Sequence, residues 1–163
     1  MTTDPKTISG SKVNIVAEHL IKSFEGLRLQ AYCCPAGMKT IGWGHVIKPT
    51  DQAIGSITEE QASYLLEQDI AKSKRAIYRY YPMRLSLPQE GALISFVFNC
   101  GVGAFQASSL RQKLLRGEYL LAADEFPKWV HVQGVKLKGL VRRRLIEREV
   151  FLQGINDTPY QFI

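Results

Sequence analysis

The stretch EGLRLQAYCCPAGMKTIGWGH, residues 25–45, is where one kind of structure gives way to another. Upstream of it, Val13, Val16, Ala17, Leu20, Ile21 and Phe24 recur at helical spacing, Glu18, His19 and Lys22 occupy the other face, and Gly26 supplies a stop. A first helix is therefore expected to end at Glu25. Inside the stretch the pattern turns to short apolar and aromatic pieces around Pro35-Ala36-Gly37, where proline fixes one turn position and glycine relaxes another. Arg28 to His45 thus reads as a β-hairpin or small sheet.

Downstream the punctuation is helical again. Thr58 followed by Gln61 is a capping-box signature, and Ala62, Leu65, Leu66, Ile70 and Ile77 continue without a breaker to Pro82. At about 1.5 Å per residue this is one helix of roughly 33 Å. Ser86 and Gln89 repeat the capping box, and Gly91 to Phe98 is apolar on nearly every side, as a helix at the centre of a bundle would be. Further helices are expected at about 109–116, 118–126 and 140–152, separated by Gly117, Pro127 and the segment from Gly134 to Gly139. The reading is an α+β chain of one domain, residues 1–163. A small β-containing lobe at about 26–57 is joined by the long helix to a helical lobe at about 82–163, on which the first helix packs.

Composition narrows the partners. A chain of 163 residues with 45% hydrophobic content buries a core of useful size, and a net charge of +6 attracts polyanions of any kind. The first ten residues carry Asp4, Pro5 and Lys6 without an apolar run, so neither a signal peptide nor an anchor is read there. The longest apolar stretch, around Ala92 to Phe98, is far below the roughly 20 residues a bilayer span needs. Three cysteines, with Cys33 and Cys34 adjacent, suggest reduced thiols and cytosolic synthesis rather than a disulfide framework. His19, His45 and His131 lack metal-ligand spacing with them, so neither a metal nor another cofactor is expected.

Glu25 stands out chemically. The C-terminal end of an apolar helix disfavours negative charge, and a carboxyl kept protonated there suits a general acid. A glutamate taken at random is more often a solvated helix end. Its company argues otherwise: Glu25-Gly-Leu-Arg-Leu, then Ala-Tyr-Cys-Cys34-Pro-Ala-Gly, then Thr40-Ile-Gly-Trp-Gly-His45 follow in one run.

That run resembles the phage lysozymes of glycoside hydrolase family 24, the T-even phage type, in which a catalytic Glu is followed nine residues later by Asp or Cys and six later by Thr. Glu25, Cys34 and Thr40 match the spacing. Phe98-Asn-Cys-Gly101, the Ser109-Leu110-Arg111 helix start and Gly139-Leu140-Val-Arg-Arg-Arg144 with Glu147 extend the likeness. The resemblance implies a two-lobed lysozyme fold with a cleft between the lobes. It implies hydrolysis of the β-1,4 bond between N-acetylmuramic acid and N-acetylglucosamine, with Glu25, Cys34 and Thr40 catalytic and Val46, Phe98 and Ser109 against the sugar. The partner implied is the peptidoglycan glycan strand, with no nucleic acid and no stable membrane insertion, for a monomer that waits in the host bacterial cytoplasm until the membrane is breached.

Cys34 departs from the Asp form. Its free thiol pKa near 8.5 leaves thiolate in the minority unless a nearby cation lowers it. It is read as placing or activating a water, with the Thr40 hydroxyl as second anchor, and a covalent intermediate stays open. Cys33 and Cys100 are read as small packed hydrophobes. His45 paired with Cys34 would make a cysteine-hydrolase dyad, although the family reading treats it as structural. Arg142 to Arg144 reads as a mixed helix face with one arginine reaching Glu25. Two rivals remain: a lytic transglycosylase, which needs no second carboxylate, and a non-catalytic wall or nucleic-acid binder driven by charge.

Overall fold

The structure, a computed structural model, describes residues 13–51 and 54–157. The segment in which no signal peptide was read, residues 1–10, lies outside them. Helix α1, Ile15–Glu25, begins where the Asn14 side chain accepts the Ala17 N–H at 3.0 Å and ends at Gly26, whose φ of 66° terminates the helix. The Asn14 amide also donates to Leu87 O and Glu90 Oε1, at 3.2 and 3.0 Å, so the cap ties two helices together.

After Gly26 come β1 (Arg28–Cys33), β2 (Lys39–Gly42) and β3 (His45–Val46), an antiparallel sheet in the order β1-β2-β3. Tyr32 pairs with Thr40 and Cys33 with Lys39, across a turn in which Gly37 N–H donates to Cys34 O at 2.8 Å. The ladder slips between Arg28 and Tyr32. Only β2 is buried beyond its first residue: Thr40, Ile41 and Gly42 face the rest of the molecule while β1 stays largely open.

Helix α2, Glu59–Tyr80, starts at the expected capping box of Thr58 and Gln61 and is 22 residues long, matching the predicted length. Ala62, Leu66, Ile70, Ser73, Ala76 and Ile77 form its buried stripe. Helix α3, Leu87–Cys100, starts at the second capping box, and every residue from Gln89 to Val97 is buried. Gly91 is where α1 crosses it, since a Cβ there would stand 2.6 Å from Val16 Cγ1. The first helix therefore packs on α3.

The C-terminal region is more finely divided than the sequence suggested. A short helix α4, Val102–Ala107, was not expected at all. Helix α5 is Ser109–Leu115, and α6 covers only Tyr119–Ala123 before a 3-10 turn at Phe126–Lys128. A second hairpin, β4 (His131–Val132) and β5 (Val135–Lys136), turns through Gln133 and Gly134, both at positive φ. Helix α7, Lys138–Gln153, then packs along α3 and buries Arg143, Arg144, Glu147 and Phe151. The core is built by Leu66, Ile70, Leu93, Phe96, Leu110, Phe126 and Phe151 with their neighbours, and Phe96 meets Phe126 and Trp129 edge-on. The architecture is α+β and mainly helical. Among the described residues no helix is long and apolar enough to cross a membrane.

Candidate active site

Where the small sheet faces the helical part lies a cleft of about 440 Å³. Glu25 enters it from the end of α1, Cys34 and Thr40 from the β1–β2 hairpin, Val46 from β3 and Phe98 from α3. The three residues singled out as catalytic therefore share one cavity, with two of the three expected sugar contacts. Ser109, the third, is the exposed first residue of α5 and does not line it. Phe98 serves two purposes, packing against the core and presenting surface to the cleft.

Glu25 is held from behind. Arg143 Nη1 donates to its Oε1 at 2.5 Å, and the same guanidinium reaches Glu147 Oε1 at 3.1 Å and Ser95 O and Oγ, both at 3.2 Å. Arg144 Nη1 donates to the other Glu147 oxygen at 2.9 Å and also pairs with Asn99. Arg144 and Glu147 are fully buried and Arg143 is 4% exposed. Arg143, Glu147 and Arg144 thus form a chain of mutually hydrogen-bonded buried groups that ends on Glu25, and having partners is what allows such groups to be inside at all. The expectation that one arginine reaches Glu25 holds for Arg143; Arg142 is exposed and Arg144 turns to Glu147. Glu25 thus stands both at the C-terminal end of α1 and against the Arg143 guanidinium.

The opposite wall is built from backbone. Cys34 N–H donates to Met38 O at 2.9 Å, fixing the turn, and the thiol sits half-exposed at its edge. Partial burial works against its ionisation, but hydrogen bonds from the backbone at Met38 and Ala36 and from the Thr40 hydroxyl outweigh this and bring the thiol below its ordinary value. The expected agent was a cation; the observed one is a set of N–H and O–H dipoles. Thr40 Oγ1 also donates to Met38 O at 3.1 Å, and its single proton serves one acceptor at a time.

The other cysteines differ. Cys33 is exposed on β1, not packed in the turn as the sequence reading had it, because the alternation of the strand points it outward. Cys100 lines the cleft, and burial pushes its thiol up to about 11. His45 Nδ1 is engaged by Asp69 Oδ2 of α2 at 2.8 Å, which occupies it in a bond between sheet and helix. Tyr32, Asn99, Trp129, His131, Leu137 and Leu140 also line the cleft, and sequence reasoning gave none of the six a role there. They converge from four separate elements, and no local pattern marks them. Gly44 packs against the acid with no room for a side chain: a Cβ there would stand 2.9 Å from Glu25 Cγ and Cδ, and its φ of 78° favours glycine.

Comparison with known proteins agrees with this geometry. The family described as Phage lysozyme matches residues 22–147, more than half of the chain. An endolysin of Acyrthosiphon pisum secondary endosymbiont phage 1 is 42% identical over 137 residues, covering 81% of this chain and 92% of that one. An endolysin of Bacillus phage B103 is 40% identical over 141 residues, covering 83% of this chain but 52% of that longer protein, of which the chain thus spans about half. Among solved structures, the muramidase domain of SpmX from Asticaccaulis excentricus superposes with a TM-score of 0.75 at 34% identity, covering 86% of this chain and 97% of that one. The spaced Glu25, Cys34 and Thr40, the cleft that gathers them and these relatives agree, and the chain belongs to the phage lysozyme family.

Proposed function

We propose that this lysozyme cuts the β-1,4 bond between N-acetylmuramic acid and N-acetylglucosamine in peptidoglycan, with Glu25 as general acid and Cys34 and Thr40 holding the attacking water. The observation that carries the reading is the meeting of these three side chains in one cleft, with a basic residue behind the acid and hydrogen-bond donors around the thiol. Glu25 passes its proton to the leaving oxygen as the bond from the anomeric carbon breaks. Water forms the new bond to that carbon from the other face and yields a proton to the Cys34 thiolate. Arg143 faces the carboxylate that Glu25 becomes, so the charge created at that step is met by a guanidinium already in place. Exchange with solvent returns the proton to Glu25.

Val46 and Phe98 offer apolar surface to the sugar rings, and Ser109 is given no contact inside the cleft. The protein acts as a monomer, made in the host cytoplasm and reaching the wall once the membrane is breached. Mass spectrometry of fragments from purified peptidoglycan tests the reaction class: reducing muramic ends are expected, whereas anhydro ends would make it a transglycosylase and intact strands a binder. Anomers read by NMR at early times are expected to be inverted; retention with a glycosyl adduct on Cys34 would make the thiol a nucleophile.

A further inference from the structure

Tyr32 lines the cleft with Glu25, Cys34 and Thr40, yet among the described residues its hydroxyl has no hydrogen-bond partner. It stands opposite Thr40 in the β1–β2 ladder, and residues directly opposite in an antiparallel pair present their side chains on one face. On β1, whose other residues are exposed, Tyr32 alone is partly buried.

Arg28 holds the ring. From Arg28, opposite Gly42, to Tyr32, opposite Thr40, four steps of β1 run against two of β2. A regular strand would set the two residues about 13 Å apart at about 3.3 Å per residue. The irregularity bends β1, and the Arg28 guanidinium carbon stands 4.9 Å from the centroid of the Tyr32 ring. Arg28 has no ion-pair partner among the described residues, so this stacking is the contact that orients it.

Burial and the negative charge of Glu25 hold the phenol above its ordinary value, against the opposing pull of Arg28, so it stays an O–H donor. Pro35, Ala36 and Met38 of the same hairpin bring apolar surface to the cleft. A single donor on a hairpin that is otherwise apolar there suits a ligand group with an acceptor and a methyl side by side. On an N-acetylated glycan that group is the acetamido, whose carbonyl accepts more strongly than a sugar hydroxyl.

We propose that Tyr32 determines specificity by donating its hydroxyl hydrogen bond to the acetamido carbonyl of a sugar in the cleft, with Arg28 as the positioning residue that holds its ring. The inference rests on the glycosidase reading above. The bond forms on binding and persists through the reaction, so it lowers KM and leaves kcat as it is.

The test uses glycan strands that have been de-N-acetylated and then re-acylated with acetyl or with trifluoroacetyl groups; both products are neutral, and the fluorinated carbonyl is the weaker acceptor. Measured from the release of reducing ends, wild type is expected to show a KM about threefold to tenfold lower on acetyl strands, as one hydrogen bond allows. In Tyr32→Phe, checked for folding by a thermal melt, that preference is expected to vanish at unchanged kcat. In Tyr64→Phe, which removes a phenol exposed on α2 outside the cleft, it should persist. Arg28→Gln is expected to raise KM on acetyl strands about twofold to fivefold, and Arg28→Lys to restore it. Absence of the preference in wild type overturns the proposal, as does a preference that Tyr32→Phe leaves intact. A fall in kcat at unchanged KM in Tyr32→Phe also overturns it, by putting the phenol in the chemical step, and an unaltered KM in Arg28→Gln overturns the role given to Arg28. Failure of wild type to release reducing ends from either strand refutes the glycosidase reading. Calorimetric titration with acetyl and trifluoroacetyl disaccharides then decides Tyr32 by itself: tighter binding of the acetyl form by wild type but not by Tyr32→Phe supports the assignment, and equal discrimination by both proteins overturns it.

Discussion

The two walls of the cleft are held by different physics. Behind Glu25 lies a chain of buried ion pairs, Arg143, Glu147 and Arg144, whose members fail if one is removed because the rest are left charged in a poor solvent. Around Cys34 lies a surface turn whose N–H groups would exist with almost any side chain. The first wall fixes the group proposed to give up a proton; the second offers dipoles to a thiol near solvent. The contrast implies that a substitution at the turn should disturb this site less than one at the acid or its backing.

The largest effect expected is at the acid. Glu25→Gln should fold, since an amide still accepts from Arg143, but lose activity on peptidoglycan by about 10²–10⁴-fold because it has no proton to deliver. Lysis assays beside a thermal melt check both halves, and substantial activity in the folded variant would erase the distinction between the walls. Next comes the backing: Glu147→Ala leaves Arg143 and Arg144 buried with one carboxylate fewer than they need, and stability measured in urea should fall by about 3–5 kcal/mol. A loss below about 1 kcal/mol would mean that water already neutralises the chain.

Smallest is the effect at the turn. Cys34→Ala should slow turnover by at least about tenfold while Cys34→Asp stays near wild type, because Asp accepts the same hydrogen bonds. The sign of the thiol shift gives an independent check: a lowered thiol is ionised at lower pH, so iodoacetamide should label Cys34 below the pH at which an ordinary thiol reacts. Cys100, pushed up to about 11, should stay unlabelled across the same range. Mass spectrometry reads both sites, and earlier labelling of Cys100 would reverse the assignment.

Much of the fold was legible because it is written locally. The Gly26 stop and the two capping boxes, Thr58 with Gln61 and Ser86 with Gln89, each need only a few neighbouring residues, and the structure has all three. The β4–β5 hairpin escaped because two-residue strands have no period to detect, and α4 escaped because six residues give less than two full turns. Glu25, Cys34 and Thr40, which share one cleft, were singled out from a spaced motif. Arg143 was narrowed only to a run of three arginines, since which of them faces inward depends on how α7 is rotated against α3. Ser109 was carried over with the family-like Ser109-Leu110-Arg111 helix start, but it sits at the head of a helix and does not line the cleft.

One feature of the Arg143 contact bears on the order in which the molecule is made. The proposed triplet of Glu25, Cys34 and Thr40 lies within sixteen positions of chain, whereas Arg143 stands 118 residues from Glu25. A chain leaving the ribosome can close the 28–46 hairpin over Glu25 early, but the guanidinium is added only when the last long helix is synthesised and docks. Nascent chains of intermediate length thus hold all three side chains of the motif and lack the Arg143 guanidinium, so completion of the site coincides with completion of the fold's long-range contacts rather than with assembly of its motif.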